Sequence, residues 1–316
     1  MPLKIAFVMD DIGSITTKKD TTFAMMLCAQ ARGHDIYYLQ MHDLSINNGV
    51  PFARYTQIGV VDRATEYYDI KEQGEGPLAE MDVIMMRKDP PFDQDFLYAT
   101  QILELAENAG SLVINKPRAL RDFNEKLFTA LYADLIPDTL VTADKDQIKA
   151  FHALHADIIC KPLDGMGGTS IFRIKSDGLN LGVVTETLTN NGKQLGMFQR
   201  YLPEISDGDK RILIVNGEVM PYCLARLPAK NETRGNIAAG GTGRPQEVTP
   251  EELSVAQQVA DDMLSHGLYF VGLDMIGTKI TEINITSPTC VREIEAAYPI
   301  DICGKLFEAI EIRTGK

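Results

Sequence analysis

The sequence predicts an α/β protein that opens with a doubly wound, mainly parallel sheet and continues into further β-rich units. Three observations predict this. Apolar strand-like runs alternate with helix-period segments over the first 120 residues. The pattern changes after Pro117 to helices followed by antiparallel hairpins. With 316 residues, the chain can bury a substantial core and divide into two or three compact parts.

KIAFVM is the opening strand, and Asp20 to Arg32 has helical periodicity ending at Gly33. IYYL and MDVIMM follow as strands, then DQDFLYATQILELAENAG as an amphipathic helix closed by Gly110, then SLVI as a fourth strand. Residues 42 to 78 carry few signals and read as loops with short strands. Beyond Pro117, LRDFNEKLFTALYADL reads as helices, DTLVT as a strand, DKDQIKAFHALH as a helix and DIICK as a buried strand. LGMFQRYL is another strand, and KRILIVNGEVMPYCLARL is a hairpin turning at Asn216-Gly217. RLPAKNETRGNIAAGGTGRP has no clear period for about twenty residues, a length usual for either a disordered segment or a functional lid. A helix from Pro250 to His266, the hairpin GLYFVGLDMIGTKITEINIT and a helical tail complete the chain.

Composition is that of an ordinary globular protein, 45% hydrophobic and 24% charged. A net charge of −13 argues against a nucleic-acid partner, which calls for a basic field. The opening apolar run is too short for a signal-peptide core, and no stretch approaches the roughly 18 apolar residues of a membrane span. Five scattered cysteines without C-x-x-C spacing read as reduced thiols of a cytoplasmic protein.

Three constellations carry chemistry. In FVGLDMIGTKITEINIT, a turn at Gly277-Thr278-Lys279 would pair Ile276 with Ile280 and set Asp274 opposite Glu282, with Asn284 on the same face. Opposed carboxylates, about 5 Å apart at Cβ, repel and call for a cation. Three oxygen ligands without His or Cys favour Mg²⁺ together with substrate phosphates. In KPLDGMGG, Lys161 ends a buried strand and precedes the glycines, and a strand follows them, so the loop is not of the Walker type. Gly165, Gly167 and Gly168 still allow backbone N–H groups to close over phosphate oxygens. Arg211, Arg226, Arg234 and Arg292 lie at strand ends, in the lid segment and near a helix start, where they could neutralise a phosphoryl group in transfer. Ser287 and Pro288 suit the N-cap and first turn of that helix.

These residues resemble the ATP-grasp superfamily, and within it the bacterial glutathione synthetases. MRKDPPFD, NKP, NEKLFTA, KPLDGMGG, DGDKRILIVNGE, PYCLAR, ETRGN, FVGLD, TEIN, TSPT and REIE run in family order from residue 86 to 295. The resemblance implies an N-terminal substrate-binding domain over residues 1–122, a central lid subdomain over 123–203 and a C-terminal subdomain over 204–316 with a flexible loop at 227–243. It implies ATP and Mg²⁺ as cofactors, with Mn²⁺ able to substitute, and γ-glutamylcysteine and glycine as substrates joined through an acyl phosphate. Lys126 and Lys161 would hold phosphates, under a loop that includes Asp164, Gly165, Met166, Gly167 and Gly168. Gln199, Tyr201 and Leu202 would read adenine, and Asp209 would reach the ribose. Asp274, Glu282 and Asn284 would be the metal ligands, and Arg211, Arg226 and Arg234 would face the reacting centre. Arg87, Ser287 and Arg292 would contact the peptide substrate. No protein nucleophile is implied, which leaves the cysteines structural, with Cys290 the one to examine for proximity to substrate. A homotetramer or homodimer is expected. The alternatives are another carboxylate–amine ligase, such as a D-alanine–D-alanine ligase, and a non-catalytic nucleotide binder.

Overall fold

The computed structural model describes residues 2–230, 232–237 and 240–315. Its strands form three sheets in chain order. The first contains β1 (Lys4–Val8), β2 (Asp35–Leu39), β3 (Leu44–Asn47), β4 (Val50–Val60), β5 (Tyr68–Pro77), β6 (Val83–Met86) and β7 (Leu112–Ile114). The β1–β2, β1–β6 and β6–β7 pairs are parallel, as expected of the doubly wound part, and β2–β4, β3–β4 and β4–β5 are antiparallel. Side-chain alternation along β1 feeds two cores. Ile5 and Phe7 pack with helix α1 (Thr21–Ala31), and Ala6 and Val8 pack with α2 (Gln94–Asn108).

The helix limits follow their signals. Asp20 caps α1 by accepting from the Phe23 N–H at 2.7 Å, and Asp93 caps α2 through Phe96 at 2.9 Å. The stretch 42–78 departs from expectation: it contains a long hairpin, β4 and β5, rather than mostly loops. The physical reason is the exposure of β5, whose sequence YDIKEQGEGP buries no face and so shows no apolar alternation.

After the short helix α3 (Pro117–Asp122), the expected helix through residues 127–135 is a 3₁₀ run broken at Tyr132. The second sheet has β8 (Thr139–Thr142), β9 (Ile158–Pro162), β10 (Phe172–Ile174) and β11 (Gly196–Arg200), in the order β10-β9-β11-β8. Helices α4 (Lys145–His155) and α5 (Leu181–Leu188) cover one face of it. Ile158, Cys160 and Phe198 point into that core. Alternation therefore turns Ile159, Lys161 and Gln199 to the opposite face.

The third sheet has β12 (Asp209–Val215), β13 (Glu218–Leu227), β14 (Thr242–Glu247), β15 (Phe270–Ile276) and β16 (Lys279–Asn284), in the order β14-β13-β12-β15-β16. The β12–β13 turn is at Asn216-Gly217, both with positive φ. β14 occupies the end of the segment expected to be aperiodic, and residues 231, 238 and 239 of the expected loop 227–243 lie outside the described residues. Helix α6 (Pro250–Ser265) packs on this sheet, capped by a reciprocal Thr249–Glu252 box. α7 (Val291–Ala297) and α8 (Ile302–Thr314) complete the fold and bury residues beside α1.

Two local expectations are corrected. The β15–β16 turn has two residues, Gly277-Thr278, so Ile276 pairs with Lys279 and Met275 with Ile280. A bulge beyond Met275 absorbs one residue and restores Asp274 opposite Glu282, with Asn284 opposite Gly272. Ser287 and Pro288 do not start a helix: α7 begins at Val291, with Cys290 as its N-cap at φ +86°.

Candidate active site

Alternation along the third sheet collects charge on one face. Asp209 and Arg211 lie two apart on β12, Arg226 pairs with Asp209 across β13, and Asp274 pairs with Arg211 across β15. Gly272 makes the arrangement possible, since a Cβ there would stand 2.9 Å from Arg211 Cδ and 3.0 Å from Pro288 Cβ.

Asp274 is only 2% exposed. It accepts from Arg211 Nε and Nη2, the latter at 2.9 Å, and pairs with Arg226 Nη2 at 2.8 Å. Burial opposes the Asp274 carboxylate, but the two guanidiniums outweigh it and hold its pKa well below the usual range. Arg226 Nη2 also donates to Asp209 Oδ2 at 2.5 Å. Asp209 Oδ1 is buried without a hydrogen-bond partner among the described residues, and burial pushes its carboxyl up to about 7 against the pull of Arg226.

Glu282 faces a different pair of cations. Its Oε1 is 3.8 Å from Lys126 Nζ and 3.7 Å from Lys161 Nζ. Lys126 Nζ also donates to Glu125 Oε1 at 2.5 Å and to the Gly165 carbonyl at 2.6 Å, which ties the Gly-rich loop to the third sheet's edge. Burial lowers the Lys161 pKa, while for Lys126 burial is outweighed by Glu282 and Glu125. Burial, and next the charge of Glu282, raise Glu125.

Two cavities share Glu282. The smaller, about 80 Å³, lies between the second and third sheets and is lined by Ile159, Lys161, Gln199, Tyr201, Leu202, Asp209, Arg234 and Ile276. It combines apolar walls, strand-end backbone and a buried lysine, which suits a planar base continuing into phosphates. The Tyr201 ring is fixed by the Arg173 guanidinium, 3.4 Å from its centroid. The larger, about 370 Å³, reaches from Met166, Gly167, Arg211, Arg226, Glu282 and Asn284 past Ser287 and Cys290 to Lys19, Asp20 and Glu293. Arg234 Nη1 donates to the Gly168 carbonyl at 2.9 Å, and its Nη2 pairs with Glu232 at 2.6 Å. The lid segment thus meets the Gly-rich loop, in which Gly167 (φ +61°) and Gly168 (φ +81°) use left-handed backbone.

The structure does not bring every expected residue to these two cavities. Arg87 is buried, donating to Thr22 Oγ1 at 3.1 Å and the Pro288 carbonyl at 2.7 Å, and it lines neither cavity. Arg292 pairs with Asp62 at 2.8 Å, away from both. Asp164 is exposed and lines neither of these two cavities, but a separate one beside Phe123, Asn124 and Leu163. Conversely, Glu125, Asn236, Lys19, Asp20 and Glu293 line the larger cavity without having been singled out. Of these, Glu293 lies in the REIE run.

A divalent cation fits the donors here in part. Among the described residues, no group of three or more His, Cys, Asp or Glu forms a ready metal cage. Glu282 and Asn284 do face the larger cavity. Asn284 Nδ2 donates to Asp274 Oδ2 at 3.1 Å and to the Gly272 carbonyl at 3.2 Å, which orients its Oδ1 as an acceptor. An all-oxygen set with one or two carboxylates, completed by phosphates, matches the habits of Mg²⁺. The four cations Lys126, Lys161, Arg211 and Arg226 are already matched by Glu125, Glu282, Asp209 and Asp274. An incoming polyphosphate therefore needs added positive charge.

Comparison with known proteins agrees with this geometry. Residues 3–121 match the family described as prokaryotic glutathione synthetase, N-terminal domain, and residues 125–299 match its ATP-grasp domain. The chain is 52% identical over 314 residues to a glutathione synthetase of Shewanella oneidensis, covering 99% of this chain and 100% of that one. It is 55% identical over 314 residues to a glutathione synthetase of Salmonella typhimurium, again covering 99% and 100%. Among solved structures, the ATP-grasp ligase PsnB complexed with minimal precursor, Mg and ADP aligns with a TM-score of 0.63 at 20% identity, covering 99% of this chain and 98% of that one. D-cycloserine synthetase DcsG aligns with a TM-score of 0.69 at 13% identity, covering 98% and 99%. These last two likenesses concern the fold alone. The chain belongs to the prokaryotic glutathione synthetase family and has the ATP-grasp fold.

Proposed function

We propose that this chain is a glutathione synthetase, an ATP-dependent ligase that joins γ-glutamylcysteine to glycine and releases ADP and phosphate. One observation carries the reading: a base-sized cavity and a larger polar cavity meet at Glu282, with Arg211 and Arg226 lining the larger one. That is the layout needed to bring a carboxylate against a terminal phosphate.

Gln199, Tyr201 and Leu202 hold the base, and the unpaired Asp209 Oδ1 accepts from a ribose hydroxyl. Lys161 and Lys126 bind phosphate oxygens, with backbone N–H groups of residues 165–168 closing over them. Glu282 and Asn284 would hold Mg²⁺, and Asp274 would join them as Arg211 and Arg226 turn toward phosphate. Bound there, the cation supplies charge neutralisation along the polyphosphate.

The cysteinyl carboxylate attacks the γ-phosphorus, the bond to ADP breaks, and an acyl phosphate forms. Glycine's amine then attacks the acyl carbon and phosphate leaves. Two anions must approach in the first step, so Arg211 and Arg226 lower the repulsion where charge develops. Arg234, bridging lid and Gly-rich loop, keeps water from the acyl phosphate. All five cysteines are free thiols, consistent with a reducing cytoplasm, and no helix among the described residues is long and apolar enough to cross a membrane. The division at 1–122, 123–203 and 204–316 and a symmetric dimer or tetramer belong to the same reading.

ADP release measured with γ-glutamylcysteine, with and without glycine, tests it. Glycine-dependent turnover is expected. No glycine dependence would overturn it, and turnover with D-alanine alone would install a D-alanine–D-alanine ligase instead.

A further inference from the structure

The β15–β16 hairpin is closed at one end by its Gly277-Thr278 turn, and a side chain from the first domain closes the other. The last rung of its ladder is Gly272–Asn284. Asn115, which follows β7 at the edge of the first sheet, enters beyond that rung. Its Nδ2 donates to the Phe270 carbonyl at 2.8 Å and to the Ile285 carbonyl at 2.7 Å. Its Oδ1 accepts from the N–H groups of Tyr269 and Phe270, at 2.8 and 3.0 Å. A side-chain amide offers two donor hydrogens and two acceptor lone pairs. All are used here, and every partner is backbone.

This amide is 4% exposed and lines neither cavity, so it does not meet a ligand. Phe270 opens β15, and Ile285 follows Asn284 directly. Asn115 thus joins both strands to each other and to the first sheet. The chain leaving it keeps to the same hairpin. The Lys116 N–H donates to the Gly267 carbonyl at 3.1 Å, and the Glu125 carbonyl accepts from the Ile283 N–H at 2.9 Å. Glu125 precedes Lys126, and Ile283 follows Glu282, so this bond sets the lysine beside the carboxylate, 3.8 Å from Nζ to Oε1.

The chemistry makes this joint matter. Mg²⁺ demands near-ideal spacing of its oxygen ligands. Glu282 and Asn284 stand on β16, whereas the phosphates they would share a cation with are held partly by Lys126, outside the hairpin. The two groups keep their spacing only if the hairpin cannot shift against the segment 115–126. We propose that Asn115 is the positioning residue for this spacing, acting through the backbone of Phe270 and Ile285 to hold Glu282 and Asn284 where a phosphate-bound Mg²⁺ needs them. The inference rests on the assignment of Glu282 and Asn284 to Mg²⁺ above and adds the joint that fixes them.

Asn115→Asp tests it, because it keeps the shape and the oxygen facing Tyr269 and Phe270 but turns a second oxygen toward the carbonyls of Phe270 and Ile285. ADP binding followed by titration calorimetry, with and without Mg²⁺, reads the effect free of turnover. The wild-type protein should bind ADP more tightly with Mg²⁺. In the variant, affinity with Mg²⁺ should fall by about 10- to 100-fold, the usual cost of losing a group that orients metal ligands. Affinity without Mg²⁺ and the KM for glycine should stay the same, while kcat drops. Asn115→Ser, small enough to admit water to the vacated backbone groups, should show the same pattern and decides the matter if the Asp variant does not fold. A lowered urea midpoint with wild-type Mg²⁺ dependence would assign Asn115 to stability alone and overturn the proposal. Equal losses of ADP affinity with and without Mg²⁺ would overturn it as well. A wild-type protein whose ADP affinity ignores Mg²⁺ would overturn the metal assignment, and this inference with it.

Discussion

Asp274 and Glu282 face each other across the β15–β16 hairpin, yet their charges are answered by different cations. Asp274 is locked to Arg211 and Arg226, while Glu282 stands between Lys126 and Lys161 and borders both cavities. The hairpin therefore sets a buried, arginine-paired carboxylate opposite one that borders both cavities.

Glu282→Gln keeps the shape and removes the charge. Its side chain is 19% exposed, so the fold should survive, as judged by an unchanged circular dichroism spectrum. Turnover should fall by about 10²- to 10³-fold, the usual cost of losing one transition-state electrostatic group, and half-saturation should need more Mg²⁺. A near-normal rate at ordinary Mg²⁺ would refute the assignment of Glu282 as a metal ligand.

Asp274→Asn should behave differently. Arg211 and Arg226 are 6% and 5% exposed, and the substitution leaves both guanidiniums short of their carboxylate. Breaking a buried ion pair from one side costs about 3–5 kcal/mol, so urea unfolding should show a loss of that size along with lost activity. A destabilisation below about 1 kcal/mol would mean that water or rearrangement compensates the arginines.

Arg234→Ala removes the hydrogen bond to the Gly168 carbonyl and the pair with Glu232, whose carboxyl Arg234 holds down at about 2. Turnover should drop, and ADP release should exceed peptide formed because water reaches the acyl phosphate. Comparing ADP with peptide product checks this, and a ratio still at one would count against a sealing role for the lid.

Most of this site was legible because its chemistry sits on regular strands. Period-two alternation predicts that Asp274, Glu282 and Asn284 share a face, and a bulge preserved that result although the turn proved one residue shorter. Distance along the chain hid the rest. Lys19 and Glu293 meet only because α1 and α7 are tied together by tertiary contacts such as Thr21–Val291, and no local pattern encodes those. The β4–β5 hairpin stayed hidden because an exposed strand leaves no apolar trace. Arg87 reads as a ligand from its motif, and in the structure it is buried and donates to Thr22 Oγ1 and the Pro288 carbonyl.

At the far side of the molecule, Arg32 donates to both carboxylate oxygens of Glu311, at 2.8 and 2.5 Å, and docks α8 against α1. The Arg32 hydrogen bond holds the Glu311 carboxyl below its ordinary value of 4.5. The unfolded chain thus takes up that proton first as pH falls, so the stabilisation is complete above the ordinary value and fades as pH drops through the folded one. Glu311→Gln should cost about 0.5–1 kcal/mol at pH 7, allowing for solvent screening, and nothing once the wild-type carboxyl is protonated. Urea midpoints at the two pH values check this, and an equal loss at both would assign the effect to packing rather than charge.

The central claim is that ATP activates a carboxylate where the two cavities meet. Isotope transfer tests it most directly, using γ-glutamylcysteine labelled with ¹⁸O in both oxygens of the cysteinyl carboxylate. Turnover with ATP, Mg²⁺ and glycine should place one labelled oxygen in each phosphate released, leave one in the peptide and none in ADP. Unlabelled phosphate, or label appearing in AMP, would contradict it.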